Sequence, residues 1–289
     1  MVSISNIVSF IFVLLWSSAF ITSKIIIDNA TPFLSLSFRF IIVALFFFLF
    51  YLIFSKKNNF TLRSIFDASI SGILFHGFYL GGVFYSLHQG ASASLIGLIV
   101  SLQPILTSVL AKNYLNENLS KLQWRGIILG FFGAVLVIVT DLNNNLSLVA
   151  FFAGIIGLLS SSLGIIWQKK TKTQLSLSSN NFIQALSASI FHFIISILFE
   201  DYFINFNTSF ILAMIWQIFA ISLGAFLILM WLLQKNKASE TSTLFFLVAP
   251  ISAVMAYIIL DETFVLLDIL GLIICSIGVF IVTKYKTKT

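Results

Sequence analysis

Apolar stretches of about twenty residues follow one another along nearly the whole of this 289-residue chain, and that rhythm decides which solvent it folds in. A helix needs about 20 apolar residues to cross the hydrocarbon core of a bilayer. The stretches lie near residues 3–27, 32–54, 66–88, 91–113, 121–140, 146–169, 178–200, 210–234, 239–260 and 264–284, separated by charges, Asn, Pro or Ser clusters. Charged residues make up 9% of the chain and mean hydropathy is +1.07, whereas soluble domains carry about a quarter charged residues. A water-soluble fold is excluded, and the short breaks leave no room for a soluble domain. The runs are long and continuous and lack the alternating ten-residue pattern of barrel strands, so helices are expected. The fold class is thus all-α integral membrane with ten transmembrane helices. The first run has no basic segment before it and is too long for the core of a signal peptide, so it is expected to be a retained span.

The formal charge of +6 does not mark a nucleic-acid partner, because the basic residues sit in small groups between apolar runs. Lys and Arg in short loops favour the cytoplasmic side. One alternating set of loops holds Lys56, Lys57, Arg63, Lys112, Lys121, Arg125, Lys169, Lys170, Lys172, Lys235, Lys237 and the tail lysines Lys284, Lys286 and Lys288. The opposite set holds Lys24, Asp28, His88, Asp141, Glu200, Asp201, Asp261, Glu262 and Asp268. This split predicts an even number of spans with both termini cytoplasmic, in the cell (inner) membrane.

A shift of 145 residues superposes Glu117 on Glu262, Gly126 on Gly271 and Gly133 on Gly278, and a shift one larger superposes Pro104 on Pro250. The same register sets Lys24 opposite Lys169 and Arg39 opposite Gln184. Five spans per copy is an odd number, so the second copy enters the membrane upside down. Residues 1–142 and 143–289 are therefore expected to form two inverted five-helix repeats, the architecture from which alternating access follows.

The segments Trp16-Ser17-Ser18-Ala19-Phe20 through Lys24, Phe38-Arg39-Phe40, Ala91-Ser92-Ala93-Ser94, Pro104 with Glu117 and Gly126, and Pro250 with Glu262, Gly271 and Gly278 together resemble the EamA-type transporters of the drug/metabolite transporter superfamily. That resemblance implies a bundle in which helices one to four and six to nine enclose a central cavity, with five and ten outside. It also implies carriage of amino acids, sugars, nucleotide-like compounds or other small metabolites, often outward. The missing residue between Pro250 and Glu262, and Gln184 opposite Arg39, leave the substrate class open.

Ionisable and polar groups inside spans are candidates for function because their desolvation needs partners or water. Arg39 lies about 12 Å into its span at 1.5 Å per residue. It either attracts an anionic substrate or bonds helix-end carbonyls or Asp28. His76 and Tyr79, three residues apart, share a face with Gly72. They are candidates for cavity lining, and the histidine makes protons a candidate coupling ion. His192 is a weaker candidate, and a histidine satisfied by a neighbouring helix is the plainer reading of both. Trp16 could stack on a substrate ring and Ser17 could touch substrate, although small hydroxyl residues commonly serve helix packing. Gln103 before Pro104 could present polar groups to a cavity, Gln217 and Thr243 complete the lining, and Pro104 and Pro250 are candidate gating kinks. Glu117 and Glu262 are expected to close contacts between helices at the two ends, and Glu240 to be a solvated charge.

No Walker loop, no metal-spaced His, Cys or acid cluster and no paired carboxylates inside a span occur. No cofactor or catalytic residue is therefore expected, and Cys275 is assigned to packing. The expected function is a secondary transporter, exporter or facilitator, of a small polar metabolite such as an amino acid, acting as a monomer or homodimer. The rival is a membrane-embedded enzyme or assembly protein.

Overall fold

The computed structural model describes residues 4–54, 60–116, 120–142, 147–171, 175–242, 244–263 and 265–284. Among the described residues the regular elements are all helices, with no strand and a single isolated bridge between Ala30 and Ile204. In lipid each backbone N–H and C=O must be satisfied within its own segment, which is why apolar runs of this length become helices. The helices are α1 (Ile4–Ile27), α2 (Pro32–Phe54), α3 (Leu62–His88), α4 (Ala93–Leu115), α5 (Lys121–Leu142), α6 (Leu148–Thr171), α7 (Leu177–Phe199), α8 (Thr208–Lys235), α9 (Phe245–Leu260) and α10 (Leu266–Lys284). A single helical turn at Ala238–Ser242 precedes α9. Seven of the helices are long and apolar enough to cross a membrane, and α9 and the first part of α10 are shorter apolar helices.

The radial distribution of side chains is the reverse of a soluble protein's. Leu45, Leu49, Leu52 and Ile53 of α2, and Ile190, Phe193, Ile197 and Leu198 of α7, stand outside, while Arg39, His76, Gln103, Gln184, His192 and Gln217 are buried. Large apolar faces of this extent would be a liability in water; against lipid they are the solvent-compatible surface. This is a membrane protein with several apolar helices.

Three pairs of helices that lie 145 residues apart in sequence, α2 with α7, α4 with α9 and α5 with α10, pack antiparallel to each other. The start of α2 meets the end of α7, and mid-helix Ser37 and Ser189 exchange hydrogen bonds, each hydroxyl donating to the other's carbonyl at 3.2 and 3.0 Å. The start of α4 meets the end of α9. At the crossing of α5 and α10 the glycines singled out in the repeat come together. A Cβ on Gly133 would stand 2.6 Å from the Cys275 nitrogen and the Gly271 carbonyl, and one on Gly278 would stand 2.6 Å from the Gly126 carbonyl. Cys275, buried in this seam, donates its thiol hydrogen to the Gly130 carbonyl at 3.1 Å. Two further features recur at or close to the same spacing. α4 and α9 end on the left-handed residues Asn116 and Asp261, each with φ of 55°, and α3 and α8 each contain a π-helical stretch, Ile73–Phe78 and Gln217–Ala225.

The end of the bundle that carries Asp28, Glu200 and Glu262 is tied by polar contacts between the two halves of the chain. The Phe203 carbonyl accepts from the Thr31 N–H at 3.0 Å, the Asn29 carbonyl from the Asn205 N–H at 2.7 Å, and the Asn29 side chain from Asn207 Nδ2 at 2.5 Å. The Glu200 carboxylate accepts from the Phe33 and Leu34 amides at 2.7 and 2.9 Å. Glu262 accepts from the Ala93 and Ser94 amides at 2.8 and 3.3 Å and from the Ser94 hydroxyl at 2.5 Å. Both acids thus cap helix N-termini, where unpaired N–H groups and the helix dipole favour a negative charge. Glu262 closes a contact between helices as expected from sequence, whereas Glu117 lies outside the described residues.

Candidate functional site

A tight cavity, with free room for about one water molecule, lies inside the bundle, walled by α1, α2, α3 and α8. Trp16 and Ser23 enter it from α1, Arg39 from α2, Phe75, His76 and Tyr79 from α3, and Gln217, Ser222 and Phe226 from α8. The register that pairs the halves explains why the cavity is where it is. In α3, Gly72, Gly77 and Gly81 face α7 closely, and Gly81 also faces Phe33 of α2; at Gly72 a Cβ would stand 2.4 Å from the Gln184 carbonyl. The residues 145 further on in α8 are Gln217, Ser222 and Phe226, all three of which line the cavity. With side chains in place of glycines, α8 packs less closely on α2 than α3 packs on α7, so one helix pair is sealed and its mate leaves a gap.

Arg39 is 2% exposed. Its Nε donates to the Ser222 hydroxyl at 2.9 Å, and its guanidinium carbon stands 5.1 Å from the centre of the Phe40 ring. No carboxylate among the described residues pairs with it. Asp28, offered by the sequence as a partner, is occupied by Lys24 at 2.5 Å. Helix-end carbonyls do not hold it either, since its one hydrogen bond goes to a serine of α8. Charge steering alone could not have found Ser222; the only signal in sequence was its place opposite Gly77.

His76 is 6% exposed and sits among rings, with Phe226 at 4.4 Å and Phe40 at 4.9 Å between centroids. Its own ring nitrogens have no hydrogen-bond partner among the described residues. Tyr79 accepts a hydrogen bond from Trp16 Nε1 at 3.2 Å, which fixes the indole against the cavity wall. Trp16 also packs edge-on to Phe75 at 6.0 Å. Gln217 is fully buried, and the two hydrogens of its amide nitrogen are shared among three acceptors, the Ala19 carbonyl at 2.8 Å and the Thr22 and Ser23 hydroxyls at 2.8 and 3.0 Å. The carbonyl partner fixes the amide's orientation, and Oε1 is left with no donor among the described residues.

The structure therefore brings Trp16, Arg39, His76, Tyr79 and Gln217 around one cavity and leaves the other candidates elsewhere. Ser17 turns away and donates to the Val248 carbonyl at 3.3 Å, joining α1 to α9. Gln103 is buried between helices with both amide atoms unpartnered, and does not line this cavity. The helix is interrupted at Leu102, just before Gln103-Pro104, whereas α9 runs unbroken through Pro250, so only the first of the two proline positions coincides with a break. His192 is used structurally, its Nε2 lying 2.9 Å from the His76 carbonyl. Thr243 and the side chain of Glu240 lie outside the described residues. Sequence reasoning missed Phe75, Ser222 and Phe226, since Phe is everywhere in this chain, with 33 copies, and one more carries no signal.

Comparison with known proteins places this geometry. The EamA-like transporter family matches the chain twice, over residues 3–139 and 148–284. The chain belongs to that family. The two matched stretches are offset by the same 145 residues that relate the glycines and the left-handed caps. Among relatives, the uncharacterized transporter YvbV of Bacillus subtilis (strain 168) is 27% identical over 77% of this chain and 72% of its own length. The uncharacterized transporter in the trpA 3′ region of Buchnera aphidicola subsp. Schlechtendalia chinensis is 23% identical over 80% of this chain and 77% of its own. The uncharacterized transporter YoaV of Bacillus subtilis (strain 168) is 21% identical over 93% of both. One solved crystal structure superposes with a TM-score of 0.74 at 16% identity, covering 97% of this chain and 96% of that one, a likeness of fold alone.

Proposed function

We propose that this chain is a secondary transporter of a small polar metabolite, an amino acid or related compound, that works by alternating access between two inverted five-helix repeats, residues 1–142 and 143–289. In this reading ten helices cross the cell (inner) membrane with both termini cytoplasmic, and the end tied by Glu200 and Glu262 faces outward. The observation that carries the proposal is the enclosed cavity with an unpaired guanidinium, walled by three helices of the first repeat and one of the second. A buried cation serves no packing purpose that Leu would not serve better, because its desolvation is costly without an opposite charge. The antiparallel pairing of each of α2, α4 and α5 with its mate five helices on supports the inversion, since a two-fold relation in the membrane plane produces such pairs.

The mechanism follows from that asymmetry. Closure at the acid-bearing end uses hydrogen bonds between rigid helix ends, which can be exchanged for water one set at a time. Exchange of conformations between the repeats would open that end and close the other, carrying the cavity's contents across. The relatives' names as transporters and the family match favour this reading over an enzyme.

The test is uptake into proteoliposomes with a metabolite panel, with and without a pH gradient, joined to cysteine accessibility along α3 and α8. Saturable uptake and accessibility at cavity positions from alternate sides are expected. Absence of uptake above protein-free vesicles, or uniform inaccessibility of the cavity positions from both sides, refutes the proposal.

A further inference from the structure

Taking the cavity as the transport site, we infer that the substrate is a small organic anion, a carboxylate on an apolar or aromatic body, with a hydroxyl rather than an ammonium as its second polar group. The inference rests on the proposed transport role and narrows its substrate class. The first ground is charge. Arg39 is the cavity's single formal charge, and no Asp or Glu lines the wall. A guanidinium with only one hydrogen bond, from Nε to Ser222, keeps its remaining donors for a planar partner that can accept two parallel hydrogen bonds, which is the geometry of a carboxylate. A zwitterion brings its own cation into the same confined space, where no acid receives it.

The second ground is the unmatched acceptor. Gln217 Oε1 is buried without a donor on the helix that also supplies Ser222, five residues away. A buried carbonyl oxygen left unmatched is costly, and a neutral O–H satisfies it without adding charge next to Arg39. The third ground is the wall itself. Trp16, Phe75 and Phe226 present ring surface, and Tyr79, whose oxygen accepts from Trp16, adds a ring and an O–H proton that no described residue accepts. The non-carboxylate part of the substrate therefore meets aromatic surface.

The experiment uses the full chain in proteoliposomes and four probes of one shape: 3-phenylpropionate, its neutral amide 3-phenylpropanamide, 3-phenyllactate and L-phenylalanine. Each is measured for saturable uptake and for competition with the others. The amide is expected to compete about tenfold or more weakly than the propionate, the factor that corresponds to loss of one charge-assisted pair. Phenyllactate is expected to outcompete phenylalanine. Arg39→Gln is expected to abolish the preference for the acid over the amide, while Arg39→Lys keeps the charge and retains part of it, which separates loss of recognition from loss of fold. Uptake of the amide as readily as the acid, or of phenylalanine ahead of phenyllactate, overturns the anion inference and leaves the carrier reading standing. If none of these probes moves but neutral metabolites of the wider panel do, the anion inference is again overturned. If nothing moves above protein-free vesicles, the carrier reading itself falls.

Discussion

The crossing of α5 and α10 makes an unusually sharp prediction, because two glycines 145 residues apart in sequence should respond alike. At Gly133 a Cβ would meet backbone atoms at 2.6 Å, and at Gly278 the nearest atom is also backbone at 2.6 Å. Ordinary contact begins near 3.4 Å, so in each case the partner helix must retreat by about 0.8 Å, the difference between those two distances. No rotamer change can relieve the clash, since the atoms met are nitrogen and carbonyl groups within helices. Inserting a methyl into a packed seam of this kind costs about 1–3 kcal/mol. Gly133→Ala and Gly278→Ala should therefore each destabilise by that amount, and by nearly equal amounts. The double variant should cost less than the sum, because one separation of α5 from α10 relieves both clashes. Gly224→Ala is the control: its Cβ would meet nothing closer than 3.4 Å, and alanine favours helix over glycine. The assay is reversible unfolding in mixed micelles as the fraction of denaturing detergent rises, followed by tryptophan fluorescence. If Gly133→Ala and Gly278→Ala unfold like the parent, or if they differ from each other by more than Gly224→Ala differs from the parent, the seam is not packed as described.

Two further outcomes are expected. Glu200→Gln and Glu262→Gln remove the charge from carboxylates that cap α2 and α4, where charge-assisted bonds to N–H groups are worth about 1.5–3 kcal/mol; in a Ser23→Cys background, with native Cys275 buried, labelling by an impermeant thiol reagent from the acid-bearing end should rise about tenfold or more, and unchanged rates would show that these caps do not hold that end closed. Ser17→Ala should cost about 1 kcal/mol of stability through its lost bond to Val248 and leave KM unaltered, whereas Tyr79→Phe leaves the buried Trp16 Nε1–H without its acceptor and should cost about 1–3 kcal/mol while shifting both KM and Trp16 emission; a KM change for Ser17→Ala would place that hydroxyl in the site after all.

Much of this molecule was readable in one dimension because its solvent imposes a single rule. Each backbone group must be satisfied within its own helix, so apolar length and interrupting charge locate the elements, and the runs read near 66–88, 91–113 and 210–234 became helices within a few residues of those bounds. The 145-residue register was likewise legible in the glycines of α5 and α10, because close helix crossing demands glycine whichever way up the segment lies. The cavity was only half legible. Arg39, His76, Tyr79, Trp16 and Gln217 stand out because a polar or amphipathic group in an apolar run is conspicuous. Whether such a group turns inward to the cavity, as Trp16 does, or across to a neighbouring carbonyl, as Ser17 does one residue later, depends on the rotation of α1 against α9, which no linear pattern encodes. The pairing of Arg39 with Ser222, 183 residues apart, and the gap left where α8 carries side chains opposite the glycines of α3, were decided by packing. Composition chose the membrane and the helices; the arrangement of those helices around one another chose where the charge would be left without a partner.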